Sequence, residues 1–244
     1  MKNYKLTIQY DGTNYAGWQI QNNAITIQQT ITEAIDRLTN KKVNLIGSGR
    51  TDSGVHAFGQ IANFRTEDNI DTYKFKYSLN SILPSDISIL KIEEVPENFH
   101  ARFDAKRRIY FYLFSNQKSP FLNRYSYFYH SQLNCELLNK LSNCFIGEKD
   151  FSSFAKSGSD TVNKICNVYS INWKMTAGIT IFQIEADRFL HGMVRSIIGT
   201  ILLAAKENYN EKLIMNIFAE KDRRFSGMSV PAKGLFLYKV KYEK

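Results

Sequence analysis

"LIGSGRTDSGVHAFGQIANF", residues 45–64, sets four glycines (47, 49, 54, 59) around Arg50 and Asp52, with His56 close behind. Gly47-x-Gly49 after a short apolar strand has the start of a dinucleotide-binding turn. That fingerprint needs a third glycine and a helix directly afterwards. Here Asp52 takes the third position, and "QIANFR" (60–65) alternates like a strand. Strand–loop–strand disfavours a doubly wound nucleotide-binding sheet. Thr51, Asp52 and Ser53 crowd short polar side chains that fix a turn by bonding the backbone. The glycines let a ligand or a second backbone approach closely, and an arginine fork suits phosphate or base stacking. The bland alternative is a surface turn in which Arg50 simply pairs with Asp52.

Working outward, "YKLTIQY" (4–10) alternates Tyr4, Leu6, Ile8 and Tyr10 with polar residues and reads as a strand. "DGTNYAGWQIQNNA" follows as a loop. Thr26 and Gln29 have capping-box spacing, and Ile27, Ile31, Ile35 and Leu38 then share a helical face. "VNLI" (43–46) is a short strand. Asp71 caps a helix that ends before Pro84, and residues 86–95 form a strand. "RRIYFYLFS" (107–115) is apolar or aromatic on both faces, an interior strand. A helix over 135–147 is stopped by Gly147, and residues 168–175 and 179–186 make a hairpin around "TAG". Helices over 189–206 and near 210–219 precede a closing strand at 234–242.

The order is β-α-β-β-α-β followed by a similar series. It predicts an α+β fold of two split-βαβ-like halves sharing a mixed, mostly antiparallel sheet with a central cleft. Residues 1–105 form an N-terminal half carrying the Asp52 loop, and residues 106–244 a C-terminal half completing the cleft. No Pro/Gly linker separates them.

The 244 residues carry 32 Lys and Arg against 23 Asp and Glu, a formal net charge of +9. That excess favours an acidic partner, nucleic acid above all, unless it serves solubility alone. Aromatics make up 14%, and basic stretches interleaved with rings suit stacking on unpaired bases. Cys135, Cys144 and Cys166 lack CxxC pairing and their odd count argues against a disulfide scaffold, while the four histidines show no zinc spacing. "MKNYKLTIQY" lacks the apolar core of a signal peptide, and the longest apolar run, "IIGTILLAA", is about half a membrane span. A soluble, cytoplasmic protein is expected.

A carboxylate in such a loop can be a general base, a metal ligand or a nucleophile. Metal ligation lacks companion ligands at sensible spacing. Asp11, Asp104 and Asp187 are available for a carboxylate pair, though nothing in the sequence sets one opposite Asp52. Lys106, Arg107, Arg108, Lys118 and "KDRRF" (221–225) either contact phosphates or lie solvated.

"GRTDSGVHA" (49–57) resembles the signature of the tRNA pseudouridine synthase A family. "YDGTNYAGWQ" (10–19), "FHARFDAKRRIYFY" (99–112), "DFSSF" (150–154), "FLHGMVRSIIG" (189–199) and "PAKGLFL" (231–237) resemble its other motifs in order, so the likeness spans essentially the whole chain. The resemblance implies a cofactor-free isomerase that turns uridine into pseudouridine at positions 38, 39 and 40 of the tRNA anticodon stem-loop, working as a homodimer by base flipping. It implies Asp52 as catalytic nucleophile or base, Tyr110 as the ring that stacks on the target uracil, Arg195 as the cation beside that aspartate, and Arg50 as the side chain entering the stem. By pattern alone Tyr110 is a sheet-face ring, and Arg195 a helix-surface residue with His191 four residues earlier on the same face. Two departures from the family pattern are Ile109 and Phe111 flanking Tyr110, and Gly192 beside His191. A non-catalytic RNA-binding module is the competing class. A zinc base deaminase would need HxE and PCxxC, which are missing.

Overall fold

Alternation shapes the first strand. β1 (Lys2–Tyr10) buries Tyr4, Leu6, Ile8 and Tyr10 on one face. The computed structural model describes residues 1–158, 162–206 and 211–243. In α1 (Ile27–Thr39), Thr26 caps by accepting from the Gln29 amide at 3.3 Å, and Ile27, Ile31 and Ile35 are buried. Leu38 is only half-buried. The Gln29 side chain donates to Glu33 instead of returning to the cap, so only half of the box forms. A carboxylate one turn on is the stronger acceptor. Asn40, at φ +53°, ends the helix in the left-handed region.

β2 (Ile46–Gly47) is shorter and later than the 43–46 strand read from sequence. β3 (His56–Thr66) begins four residues earlier than expected, inside the "GVHA" signature. Antiparallel pairing with β1 reaches back to Ala57, which lies opposite Tyr10. α2 (Thr72–Ile82) starts where Asp71 accepts from the Tyr73 and Lys74 amides and stops before Pro84. Phe75 on this helix packs against Phe64 of β3. β4 (Ile87–Val95) pairs antiparallel with β1. The order β4-β1-β3, with β2 on the far side of β3, is the split-βαβ arrangement.

The second series opens with β5 (Arg107–Ser115), whose predicted limits hold. β6 (Tyr127–Phe128) joins it in parallel. α3 (Cys135–Ser142) is shorter than its predicted span. The chain tightens into a 3-10 turn at Asn143–Phe145, and Gly147, at φ +96°, begins β7 (Gly147–Asp150) rather than merely stopping a helix. β8 (Ile165–Thr176) and β9 (Ile179–Ala186) form the expected hairpin, with Ala177 and Gly178 at φ +46° and +76°. The antiparallel order is β5-β9-β8-β7. Its core sets Phe114 face-on and Phe182 edge-on against Trp173, whose indole donates to Ser142 Oγ at 2.9 Å.

α4 (Met193–Lys206) absorbs the long apolar run as a core helix, with Ile197, Ile198 and Ile201 fully buried. It begins at Met193, not at 189. Gly192 has φ +74°, a break that no L residue adopts cheaply. His191 therefore precedes the helix and does not share a helical face with Arg195. α5 (Glu211–Glu220) matches the second predicted helix, of which residue 210 lies outside the described residues.

The last strand, β10 (Leu235–Lys241), pairs in parallel with the start of β3, Phe236 opposite His56 and Leu237 opposite Ala57. The chain divides into two compact units, Met1–Lys106 with Phe236–Lys244, and Arg107–Leu235. Each combines helices with mostly antiparallel strands that include a parallel pairing, β3 with β10 in the first unit and β5 with β6 in the second.

Candidate active site

In the first unit the "GRTDSG" loop joins β2 to β3 and is held from both ends. The Ser48 hydroxyl donates to Gln60 Oε1 at 2.6 Å, the Ser48 amide donates to the Ile61 carbonyl, and Gln60 Nε2 donates to the Gly49 carbonyl at 3.0 Å. Thr51 bonds the buried Tyr10 hydroxyl at 2.8 Å. Burial pushes the Tyr10 hydroxyl's pKa well up, so it stays a neutral partner. At the tip, Val55 N–H donates to the Asp52 carbonyl and closes a β-turn, with Gly54 at φ +74°.

A second loop, residues 11–25, is laid against this turn backbone to backbone. Trp18 N–H donates to the Thr51 carbonyl at 3.1 Å, Gly54 N–H to the Tyr15 carbonyl at 3.3 Å, and Ser53 Oγ to the same carbonyl. Glycine makes the approach possible. A Cβ at Gly12 would sit 2.0 Å from the Val55 carbonyl oxygen, and one at Gly17, itself at φ +93°, 2.5 Å from that of Thr51. Tyr15 is pinned in turn by donating to Asp86 at 2.6 Å.

On this frame Asp52 is half-buried and Arg50 exposed. Arg50 forms no ion pair among the described residues, so the surface Arg50–Asp52 pair considered from sequence is not formed. A Cβ added at Gly49 beside it would meet nothing within 4 Å. The loop thus presents a carboxylate on a fixed turn and, two residues before it, a guanidinium reaching into solvent.

In the second unit Tyr110 lies on β5 opposite Ile184, buried, with Phe189 edge-on at 5.2 Å. Tyr112, on the same strand face, donates to the Pro231 carbonyl at 2.8 Å. Arg195 stands in the first turn of α4 and donates through Nε to the adjacent Val230 carbonyl at 2.7 Å. Val230 N–H returns a bond to the Arg195 carbonyl. Burial raises the Tyr112 hydroxyl's pKa, against the lowering influence of the nearby Arg195 charge.

The segment carrying Val230 is itself stapled. Gly227 N–H donates to Thr200 Oγ1 at 2.8 Å, and Gly199 and Gly227 let the chain cross α4 at backbone contact. Arg223 bonds Ser226, the Gly227 carbonyl and Ser229. Within the basic run "KDRRF", Arg223 is therefore held in place by the chain itself. Lys221 pairs with Asp150 and Arg224 with Asp222. Arg107 pairs with Glu185 and lies over the Tyr169 ring, and Arg108 donates to the Asp187 carbonyl. Lys106 and Lys118 remain exposed.

The sequence of the tRNA pseudouridine synthase family matches residues 6–104 and 142–243, both loops of the first unit and α4 included. The chain belongs to this family. It is 43% identical to tRNA pseudouridine synthase A of Clostridium acetobutylicum, covering 99% of this chain and all of the relative. The corresponding protein of Caldicellulosiruptor saccharolyticus is 45% identical, and that of Thermoanaerobacter sp. (strain X514) 41%, each over the same shares.

Reading the sequence missed the frame of this synthase's candidate site: Tyr10, Gly12, Tyr15, Gly17, Trp18 and Gln60 in the first unit, Tyr112 and Arg223 in the second. A signal was present for some. Gln60 and Asn63 are polar residues at inward positions of an apolar strand, and both are fully bonded, Gln60 to the loop and Asn63 to Asn3 and the Ala101 amide. Among the described residues no cluster of His, Cys, Asp and Glu is placed to hold a metal, and no helix is long and apolar enough to cross a membrane.

Proposed function

We propose that this protein isomerises uridine to pseudouridine in the tRNA anticodon stem-loop, at positions 38, 39 and 40, with Asp52 as the reacting carboxylate. Family membership over the whole chain carries the tRNA isomerase activity. The observation that supports Asp52 is its turn, whose backbone is fixed by bonds from two other segments of the chain. The reaction breaks the bond from N1 to C1′, rotates the uracil and joins C5 to C1′. The C5 hydrogen leaves as a proton and N1 gains one, so product and substrate are isomers and no redox partner is needed. Asp52 either attacks the ribose at C1′ or removes the proton at C2′.

Arg195 takes the role of the cation that keeps this carboxylate ionised away from water. Its Nε bond to the Val230 carbonyl orients the guanidinium. Tyr110 stacks on the extruded uracil, worth about 1–3 kcal/mol. Flipping the base costs a few kcal/mol, and Arg50, exposed beside open space, fills the gap left in the stem. The working enzyme is a cytoplasmic homodimer, and residues 1–105 and 106–244 act as the two halves of its catalytic body.

The test is positional. tRNA incubated with the protein is treated with a carbodiimide that marks pseudouridine, and reverse transcription is read for stops. Stops confined to the three anticodon stem-loop positions support the assignment. Stops elsewhere, or none, overturn it.

A further inference from the structure

Asp11 and Gly12, in the second loop, and His56, at the end of the first, have no part in the reaction as proposed. His56, the first residue of β3, is 1% exposed. Its Nδ1 lies 3.1 Å from the Gly12 amide nitrogen and 3.0 Å from Asp11 Oδ1. One nitrogen cannot serve a donor and an acceptor at once. A neutral ring accepts from Gly12, and a protonated ring donates to Asp11. In either state the ring is tied to one of these two adjacent residues.

That attachment point is rigid. Asp11 Oδ1 accepts from the amide and hydroxyl of Thr13 at 3.0 and 2.6 Å, and the Asp11 amide donates to the Asp86 carbonyl at 2.9 Å. The other side of the imidazole is stacked on Phe236, ring centroids 4.7 Å apart. Between the latch and Asp52 lie only three residues, and Val55, next to His56, presses its carbonyl against Gly12.

We propose that His56 is a positioning residue for the isomerisation, an inference that rests on the Asp52 reading above. Nδ1 fastens the start of β3 to Asp11–Gly12 and thereby sets where the Asp52 turn stands. Tyr15 and Trp18 hold the turn from one side, and His56 holds the strand it runs into.

Two substitutions separate the latch from mere packing. His56→Asn keeps a polar atom at the Nδ1 position and loses the ring. His56→Phe keeps the ring on Phe236 and loses the polar atom. Both are assayed with tRNA below the lowest melting temperature of the set, beside the natural protein and Asp52→Asn.

The latch predicts that His56→Phe loses on the order of tenfold to a hundredfold in kcat, as small misplacements of a reacting group do, with KM little changed. His56→Asn keeps most of kcat. A His56→Phe enzyme as fast as His56→Asn, or losses that appear in KM alone, overturns the latch. Amide exchange gives a reading without catalysis. Gly12 and Val55 exchange faster in His56→Phe than in His56→Asn, and equal rates also overturn it. Activity in Asp52→Asn would instead remove the Asp52 reading, whatever the His56 variants do.

Discussion

A methyl group added at Gly17 would lie 2.5 Å from the Thr51 carbonyl, on a backbone at φ +93°. Both faults act on the contact that positions the Asp52 turn. Strain of about 1–3 kcal/mol is expected for the backbone conformation alone. Gly17→Ala is predicted to lower the melting temperature and to lose kcat well beyond that, since the turn must move to make room. A melting shift with unchanged turnover would show that the turn's position is not critical. At this scale the sequence was half legible. Short polar residues beside glycines announce a fixed turn at Thr51–Gly54. That Gly12 and Gly17 serve a different loop's approach depends on two segments some forty residues apart, which no local pattern encodes. Arg223 shows the reverse. Its run looks like a phosphate contact, yet the side chain is spent on Ser226, Gly227 and Ser229.

Caps and turns are where element-level rules worked and where they can be tested. The β8–β9 turn places Ala177 at φ +46° and Gly178 at +76°, values that favour Asn-Gly in a two-residue hairpin. Ala177→Asn is predicted to stabilise the protein by about 0.5–1 kcal/mol, because asparagine tolerates the left-handed region better than alanine. A denaturant midpoint at or below the natural value would contradict this. Asp150, ahead of the 3-10 turn Ser152–Phe154, accepts from the Ser152 amide at 2.9 Å and pairs with Lys221 at 3.2 Å. Burial raises its pKa, but the Ser152 hydroxyl and amide and then Lys221 outweigh it, and the carboxyl ends below its ordinary 3.8.

A folded pKa below the unfolded one gives stability that is complete above the unfolded value and is lost as pH falls through the folded one. Asp150→Asn should therefore lower the melting temperature at neutral pH, with the gap closing below pH 3.8. A gap that persists unchanged in acid would contradict the ionic role. Strands and capped helices were legible here because their signals are local: β5 kept its limits, and Asp71 its cap. α4 was misread at its start because an apolar run continues into "FLHG", while only the φ of Gly192 reveals the break. β6 and β7, two and four residues long, carry too little pattern to be seen.

For the whole molecule, the net charge of +9 fits an RNA substrate, but a charge count cannot separate stapled from available cations. Lys221, Arg223 and Arg224 have intramolecular partners, whereas Lys118 is exposed. tRNA affinity should fall steeply with salt, and Lys118→Ala should reduce the slope of log K against log salt by about 1 if it meets a phosphate. Arg224→Ala should leave the slope alone. A flat salt response would contradict electrostatic binding altogether. The βαββαβ order of the first half was legible, as was the α+β class. The return of β10 to pair in parallel with His56 and Ala57 was not, because its partner lies about 180 residues earlier in the chain.

The most direct test of the central claim is tritium release from tRNA labelled at C5 of uridine, measured for the natural protein and for Asp52→Asn. Isomerisation exchanges the C5 hydrogen with solvent. Release by the natural protein and none by Asp52→Asn, with tRNA binding intact in both, is the predicted result. Release by both would keep the isomerase and remove Asp52 as its reacting group. Release by neither, with tRNA still bound, would contradict the catalytic reading and leave an RNA-binding module.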